Sequence, residues 1–357
     1  MKHTDRMHAA AAAHSFLIHP AELQSRRRRC EPVTSRLLKI ERQMMFICNV
    51  CGSLENAVVS AQDRYGLPLR TAICLNCGLI YLMDRFTDEG YSQFYEQGEY
   101  RNLLTLFSGA ARDIAQIDAD QHAYAKQLIR FLDGFICRGR ARKLLDVGGS
   151  AGRIALALRN HFQMSAMVID PAAKEIEAAR AVGLKAVVGS IETWGTDDKF
   201  DLILLCRSIE HLSDLTYSLR KIHALLEPGG LFYCDILDFI GLVRVTGPAE
   251  TVTKVDHCFW LTQESAPAIF RSVGFEIVSC NMAFRQPVGY LLRAAAAAAP
   301  IPSRTQLVGE QIRFLQQIAA EWEEYGHYPA NSLEWLRRKA YRIKRGIVKL
   351  RAARNGS

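Results

Sequence analysis

The sequence predicts an α/β protein: a doubly wound, mostly parallel sheet with helices on both faces, a small cysteine-rich module ahead of it and helices behind it. Three observations predict this. From Lys143 onward, short apolar β-type runs alternate with helical spacings, as in parallel strands joined by helical crossovers. The first run enters a glycine-rich turn, "KLLDVGGSAG" (143–152). Upstream, "FICNVCGS" and "AICLNCGLIYL" each carry a Cys-x-x-Cys pair.

Taken in order, residues 1–43 are Ala-rich, then hold Arg26 to Arg29, with no sustained period; a disordered basic extension is expected. Histidines flank the Ala-rich run and arginines follow it, which makes a poor secretory signal. A start at Met44 or Met45 is an alternative reading. Residues 44–102 are expected to hold the cysteine module and a packed connector, "YLMDRFTDEGYSQFYEQGEYRN" (81–102). Residues 103–297 form the expected α/β domain. Ile114, Ile117, Tyr124, Leu128, Phe131 and Leu132 recur at helical spacing at its start. "KLLDV", "AMVID", "KAVVG", "FDLILLC" and "LFYCDIL" read as strands, with the helices "AGRIALALRNHF", "AAKEIEAARAV" and "LSDLTYSLRKIHALL" among them. A helix near 262–273 precedes "GFEIVSC" and "GYLLRAA", whose short link predicts an antiparallel hairpin at one sheet edge. Residues 298–357 are expected to be a helical basic extension, with helical stretches at 304–325 and about 332–354.

Composition excludes some classes. The 357 residues are 49% apolar and 23% charged, as in a soluble globular chain, and no run of eighteen apolar residues predicts a membrane span. The net charge of +8 sits at the ends. Residues 1–43 carry nine Lys/Arg against four Asp/Glu, and residues 333–357 nine against one, so the body between them is mildly acidic. Nucleic-acid binding is therefore not expected from charge. Ten cysteines, most of them scattered, suggest reduced thiols in a cytoplasmic protein.

The glycine turn separates two nucleotide-like ligands. A dinucleotide fingerprint needs G-x-G-x-x-G, but Ser150 and Arg153 stand at the second and third glycine places. Asp146, Gly148, Gly149, Ser150 and Gly152 instead resemble the first motif of class I S-adenosylmethionine (SAM)-dependent methyltransferases, with Ser150 where many members have a glycine. Asp170, 18 residues past Gly152, ends the second strand, where a carboxylate can accept from ribose hydroxyls or cap the next helix. "FDLILLCRSIEHLSD" and "LLEPGGLFYCDIL" resemble later motifs of the same family, over about residues 113–295. The resemblance implies a Rossmann-like SAM methyltransferase fold with a seven-stranded sheet. It implies a SAM site at Asp146, Gly148, Gly149, Ser150, Gly152, Asp170, Ser190, Ile191 and Cys206, with Glu192 a weaker adenine neighbour.

Cys48, Cys51, Cys74 and Cys77, with 22 residues between the pairs, suit a closed, tetrahedral and therefore structural zinc site. The module, with Phe94, Tyr95 and Tyr100 after it, resembles the N-terminal part of bacterial methyltransferases acting on sugars, nucleotide-linked sugars and polysaccharide precursors. That resemblance implies a saccharide or related small-molecule acceptor. Two other readings stay open: methylation of RNA or protein, and a non-catalytic SAM-fold scaffold that binds partners.

Methyl transfer to a hydroxyl, or to a carbon beside a ketone, needs positioning and a base. Candidates should follow the fourth or fifth strand, since ligands sit at the carboxyl ends of strands in such sheets. His211 is the first choice, with Glu210, His257 and Asp238 as the others and Tyr91, Tyr95 and Tyr100 as a wall. In the last helix Leu333, Leu336, Ala340, Ile343, Ile347 and Leu350 form a stripe among basic residues, suited either to an anionic membrane surface or to packing on the domain.

Overall fold

Two main sheets organise the chain in the computed structural model, which describes residues 18–111, 114–136, 142–282 and 287–327. The N-terminal part holds α1 (Pro20–Leu37), β1 (Arg42–Met44), β2 (Asn56–Ser60), β3 (Thr71–Cys74), β4 (Ile80–Leu82), β5 (Asp84–Phe86), α2 (Asp88–Glu96) and α3 (Glu99–Ser108). β2, β3 and β4 are antiparallel neighbours, and β1 pairs with β5.

Helix α1 corrects the expected disorder of residues 1–43: from residue 18 on the chain is ordered and packed. Leu23, Cys30, Val33 and Leu37 are buried in a core shared with α3. Two of the arginines that suggested a solvated tail, Arg27 and Arg29, are bound in place, as is Arg36. Arg27 donates to the Asp63 carbonyl at 3.0 Å, Arg29 to the Leu106 and Phe107 carbonyls at 2.9 and 3.1 Å, and Arg36 pairs with Glu99 at 2.7 Å. Long arginine stems cover apolar surface while their heads find carbonyls.

The rest comprises α4 (Ile114–Leu132), β6 (Lys143–Val147), α5 (Arg153–Phe162), β7 (Ser165–Asp170), α6 (Ala173–Ala181), β8 (Lys185–Val188), β9 (Phe200–Leu205), α7 (Leu215–Leu225), β10 (Leu226–Ile236), α8 (Phe239–Thr246), β11 (Phe259–Trp260), α9 (Ala266–Ser272), β12 (Phe275–Asn281), β13 (Val288–Ala294) and α10 (Thr305–Gly326). The large sheet runs β12-β13-β10-β9-β6-β7-β8. Its first five strands in sequence are parallel; β13 is antiparallel to β10 and to β12. The doubly wound seven-stranded sheet and its edge hairpin are thus present as expected. Successive side chains of β9 feed opposite faces: Ile203 and Leu205 join one core, Leu202 and Leu204 another. Chain order reverses at β6, with β7 and β8 on one side and β9 and β10 on the other. The crevice at the carboxyl ends of β6 and β9 is therefore a topological switch point.

The expected linear division at 102/103 and 297/298 is not how the elements pack. β11, from within the α/β region, pairs with β4 and extends the N-terminal sheet. α10, expected in a separate extension, buries Val308, Leu315, Ile318 and Trp322 in the core that also holds α1 and α8. Trp322 Nε1 donates to the Ile18 carbonyl at 2.7 Å. The basic stretch expected at 332–354 lies outside the described residues. No described helix is long and apolar enough to cross a membrane.

Candidate active site

A cavity of about 400 Å³ opens at the switch point. Its floor is the turn after β6. Gly148 has φ +68°, and a Cβ there would sit 2.6 Å from Ser208 Oγ, so only glycine lets this turn meet the end of β9. Gly152 serves packing: a Cβ would meet Leu184 at 2.4 Å. Ser150 takes up the left-handed φ of +51° that a glycine would adopt freely. Two hydrogen bonds hold it there: its N–H donates to Asp170 Oδ2 and its Oγ to Glu175 Oε2, both at 2.9 Å.

Asp170 lines the cavity. Its Oδ1 accepts the Ala172 N–H at 2.9 Å, so each carboxylate oxygen holds one backbone donor and keeps a lone pair for a ligand. Burial raises its pKa, offset by those two amides. Gly148, Ser150, Ser190 and Ile191 also line the cavity. Glu192 lines it too, but Oε1 is engaged by the Ser213 N–H at 3.0 Å and the Ser218 hydroxyl at 2.9 Å.

Four residues of the expected cofactor set are not on the cavity wall: Asp146, Gly149, Gly152 and Cys206. Asp146 is 1% exposed beneath Gly149, where a glycine Cβ would lie 2.6 Å from its Cγ. Neither of its carboxylate oxygens has a hydrogen bond of normal geometry. Burial first, then the Asp170 charge, pushes its pKa up to about 7. Cys206 faces the core beneath α4, and burial pushes its thiol up.

Across the cavity stand Tyr95 and Tyr100 from α2 and α3, with His211, Lys254 and Asp256. His211 Nδ1 lies 2.8 Å from the Asp256 carbonyl and 3.3 Å from the Tyr95 hydroxyl. A carbonyl only accepts, so Nδ1 carries the hydrogen and Nε2 keeps its lone pair. The Asp256 carboxylate, 3.9 Å away, stands ready to balance an imidazolium. Despite the burial penalty, Lys254, His257 and His211 hold that carboxyl well below the usual range.

The other base candidates do not line the cavity. Glu210 and His257 are 4% and 5% exposed. The Lys254 ammonium lies 3.0 Å from His257 Nε2 and can only donate, so that ring's hydrogen sits on Nδ1. Burial pushes the His257 pKa well below the imidazole range. Polar atoms of Glu210, His211 and His257 lie within 4.8 Å of one another, but this tautomer leaves His257 no lone pair for a cation. Asp238 accepts from Gln263 at 3.1 Å beside α8, away from the cavity, and Tyr91 donates to the Val255 carbonyl at 2.9 Å. Sequence reasoning did not single out Arg207, Lys254, Asp256 or Glu175. Arg207 had a readable signal, a charged residue just past a strand's carboxyl end; the others had none.

The four thiols of Cys48, Cys51, Cys74 and Cys77 converge within 4.8 Å, with Cys48–Cys77 and Cys51–Cys74 sulfurs 3.5 Å apart. Each pair lies in a tight turn closed by Gly52 N–H to the Cys48 carbonyl and Gly78 N–H to the Cys74 carbonyl, both at 3.0 Å. Tetrahedral zinc with sulfurs at about 2.3 Å requires sulfur pairs roughly 3.8 Å apart, so the donor set fits. Hydrogen bonding among the thiols pushes Cys48 up to about 12 and pulls Cys74 down.

Residues 117–280 match the family model of a methyltransferase domain. Over 104 residues the chain is 32% identical to a ubiquinone biosynthesis O-methyltransferase of Nitrobacter winogradskyi, covering 27% of this chain and 39% of that protein. A Bradyrhizobium protein of the same name is 30% identical over 104 residues, covering 27% and 40%. The chain thus spans about two fifths of the length of the curated relatives it matches. Among solved structures, a SAM-dependent methyltransferase from Clostridium acetobutylicum is 15% identical, covering 51% of this chain and 95% of that one, with a TM-score of 0.41. The CcbJ methyltransferase of Streptomyces caelestis is 14% identical, covering 48% and 90%, with a TM-score of 0.41.

Proposed function

We propose that the chain is a SAM-dependent methyltransferase that modifies a small hydroxyl-bearing acceptor, a saccharide or nucleotide-linked sugar, with a structural Zn²⁺ in its Cys₄ cluster. The observation that carries the reading is the cavity itself. It lies at the carboxyl ends of β6, β7 and β9, with the Gly148 turn and the half-satisfied Asp170 on one wall and a histidine bearing a free Nε2 on the other.

In this reading Gly189 to Ile191 would hold the adenine, Asp170 would accept from the ribose hydroxyls, and the Gly148 turn would receive the amino-acid end. Bound SAM supplies an electrophilic methyl group on a sulfonium. The protein's share is to hold an acceptor oxygen in line with it and to remove a proton. His211 Nε2 takes that proton, the Asp256 carbonyl fixes the ring, and the Asp256 carboxylate offsets the new charge. Tyr95 and Tyr100 offer flat faces against which a sugar ring packs.

The names of the curated relatives, ubiquinone biosynthesis O-methyltransferases, favour a second acceptor, a hydroxyl on a ubiquinone precursor, for which the same aromatic wall and base serve. Calorimetry with SAM, S-adenosylhomocysteine and NAD, followed by labelled methyl transfer into nucleotide sugars, lipid-linked glycans and phenols, tests the proposal. Micromolar binding of the first two ligands and none of NAD is expected. Binding of NAD without SAM overturns it.

A further inference from the structure

We infer that Arg207 is the clamp for the cofactor's carboxylate; this rests on the SAM reading above and assigns a residue to a charged group that the reading leaves without a partner. Three non-glycine residues have a left-handed φ among the described residues: Ser150, Gln163 and Arg207. Gln163 closes a helix, but Ser150 and Arg207 both line the cavity. An arginine at φ +52° is strained, and such strain persists where surrounding contacts over-determine it, commonly at binding sites.

The contacts here are specific. Asp235, fully buried at the end of β10, accepts the Arg207 N–H at 2.5 Å and the Tyr124 hydroxyl at 2.5 Å. The Arg207 guanidinium stacks over the Tyr124 ring, 5.1 Å from its centroid. Backbone and head group are thus both set by one buried carboxylate and the tyrosine it anchors. The guanidinium itself has no carboxylate within ion-pair distance among the described residues. Lys254, the other cation on the cavity wall, already reaches Asp256 at 3.2 Å and His257.

Position decides which anion is met. Tyr124 belongs to the core under α4, on the face that Leu204 and Cys206 feed. His211 is held from the other direction, by Asp256 and Tyr95. Arg207 and the base therefore flank the crevice at the end of β9, with Gly148 between them and the ribose carboxylate, Asp170, one strand further at β7. If the ribose is held at Asp170 and the methyl group faces His211, Arg207, stacked on Tyr124 of α4, would be the cation left on the cavity wall to meet the amino-acid carboxylate. The planar guanidinium takes that carboxylate through paired N–H donors.

The test uses the full-length protein and calorimetry with three ligands: SAM, S-adenosylhomocysteine and decarboxylated SAM. Arg207→Ala should weaken the first two about 10- to 100-fold, the range of a charge-assisted contact, and leave decarboxylated SAM unchanged. Arg207→Lys should fall between. Arg207→Gly separates charge from strain: it removes the guanidinium and relieves the positive φ, so affinity should fall as in Arg207→Ala while the melting temperature is held or rises. If wild-type protein binds none of the three ligands, the SAM reading fails. If it binds them and all variants bind SAM equally well, the clamp assignment alone is overturned. Unchanged SAM affinity with a raised KM for a charged acceptor also overturns it, and transfers Arg207 to an anion on the acceptor.

Discussion

The two walls of the cavity are built on different plans. The wall assigned to the cofactor comes from one continuous stretch, residues 147–192, in which strand ends and glycine turns follow one another. The opposite wall, apart from Arg207, which is assigned to the cofactor, is assembled from three distant segments: Tyr95 and Tyr100, Ser208 to Leu212, and Lys254 to Asp256. The first depends on local backbone geometry. The second depends on how the N-terminal sheet docks, and buried Asp63 shows how that docking is fixed. Its Oδ1 accepts the Tyr65 and Leu67 N–H groups at 2.9 Å each, and its Oδ2 accepts the Val255 N–H at 3.1 Å, tying the module's loop to the segment that holds Lys254 and Asp256. Damage to the module should therefore cost turnover first and cofactor binding second.

The largest effect should come from the cysteine cluster. One zinc per chain is expected to co-purify, and structural zinc supplies on the order of 10 kcal/mol of apparent binding energy that is also folding energy. Cys74→Ser should lose the metal, lower the melting temperature steeply and abolish methyl transfer. SAM affinity in the fraction that stays folded should change far less. Elemental analysis that finds no zinc in protein freshly purified under reducing conditions would refute the metal assignment. Equal loss of SAM binding and turnover would erase the contrast between the walls.

Within the acceptor wall, His211→Ala should slow methyl transfer by about 10²–10⁴. SAM affinity should hold, because the ring faces the acceptor. His257→Ala is the comparison; it leaves a small void in a buried site and should act mainly on stability. If His257→Ala abolishes turnover and His211→Ala stays within a few-fold of wild type, the base is misassigned.

On the cofactor wall, Asp170→Asn removes one charged acceptor while retaining a side chain that can still cap α6. SAM should bind about 10- to 100-fold more weakly, the range for a hydrogen bond to a charged group. Turnover at saturating SAM should recover to near wild type. A drop in saturated turnover with unchanged SAM affinity would move Asp170 to the acceptor side.

The same contrast explains what could be read before the fold was known. The wall assigned to the cofactor was legible as a wall of the cavity because its strand, turn and strand-end carboxylate occur in sequence order, each with its own local signature. The cysteine pairs were legible for the same reason. His211 could be proposed from its place after β9, but nothing local told it apart from Glu210, one residue earlier and buried. Lys254 and Asp256 carried no signal, since only docking of β11 on β4 brings their segment to the cavity. Helix α1 departs from the expectation because the anchoring of Arg27 and Arg29 depends on carbonyls supplied by residues 63, 106 and 107. Asp146 fitted the motif, yet the structure puts it under the turn, where its role becomes a question of stability.

The smallest expected effect addresses that question. Burial first of all pushes Asp63, Asp146 and Asp235 each up to about 7. In the unfolded chain an aspartate titrates at roughly 3.9. Between these values the native state binds more protons than the unfolded state, so unfolding free energy falls as pH rises from about 4 to about 7. Asp84, paired with Arg70, and Asp256 have depressed pKa values and act the other way: their contribution is present above about pH 4 and is lost on further acidification. The cofactor-free protein should therefore melt at a lower temperature at pH 8 than at pH 5. Asp146→Asn removes one of the three buried charges without changing the side chain's shape. It should match wild type near pH 5 and melt a few degrees higher at pH 8, narrowing the difference. Calorimetry with SAM on the same variant separates the two roles. If Asp146 acts only in packing the turn, SAM affinity is retained while the pH dependence flattens. If its charge attracts the ligand's ammonium group, as its place in the motif suggests, affinity falls and the motif's reading of that residue stands despite its burial. A variant that melts like wild type at both pH values would show that burial of Asp146 does not raise its pKa in the folded protein.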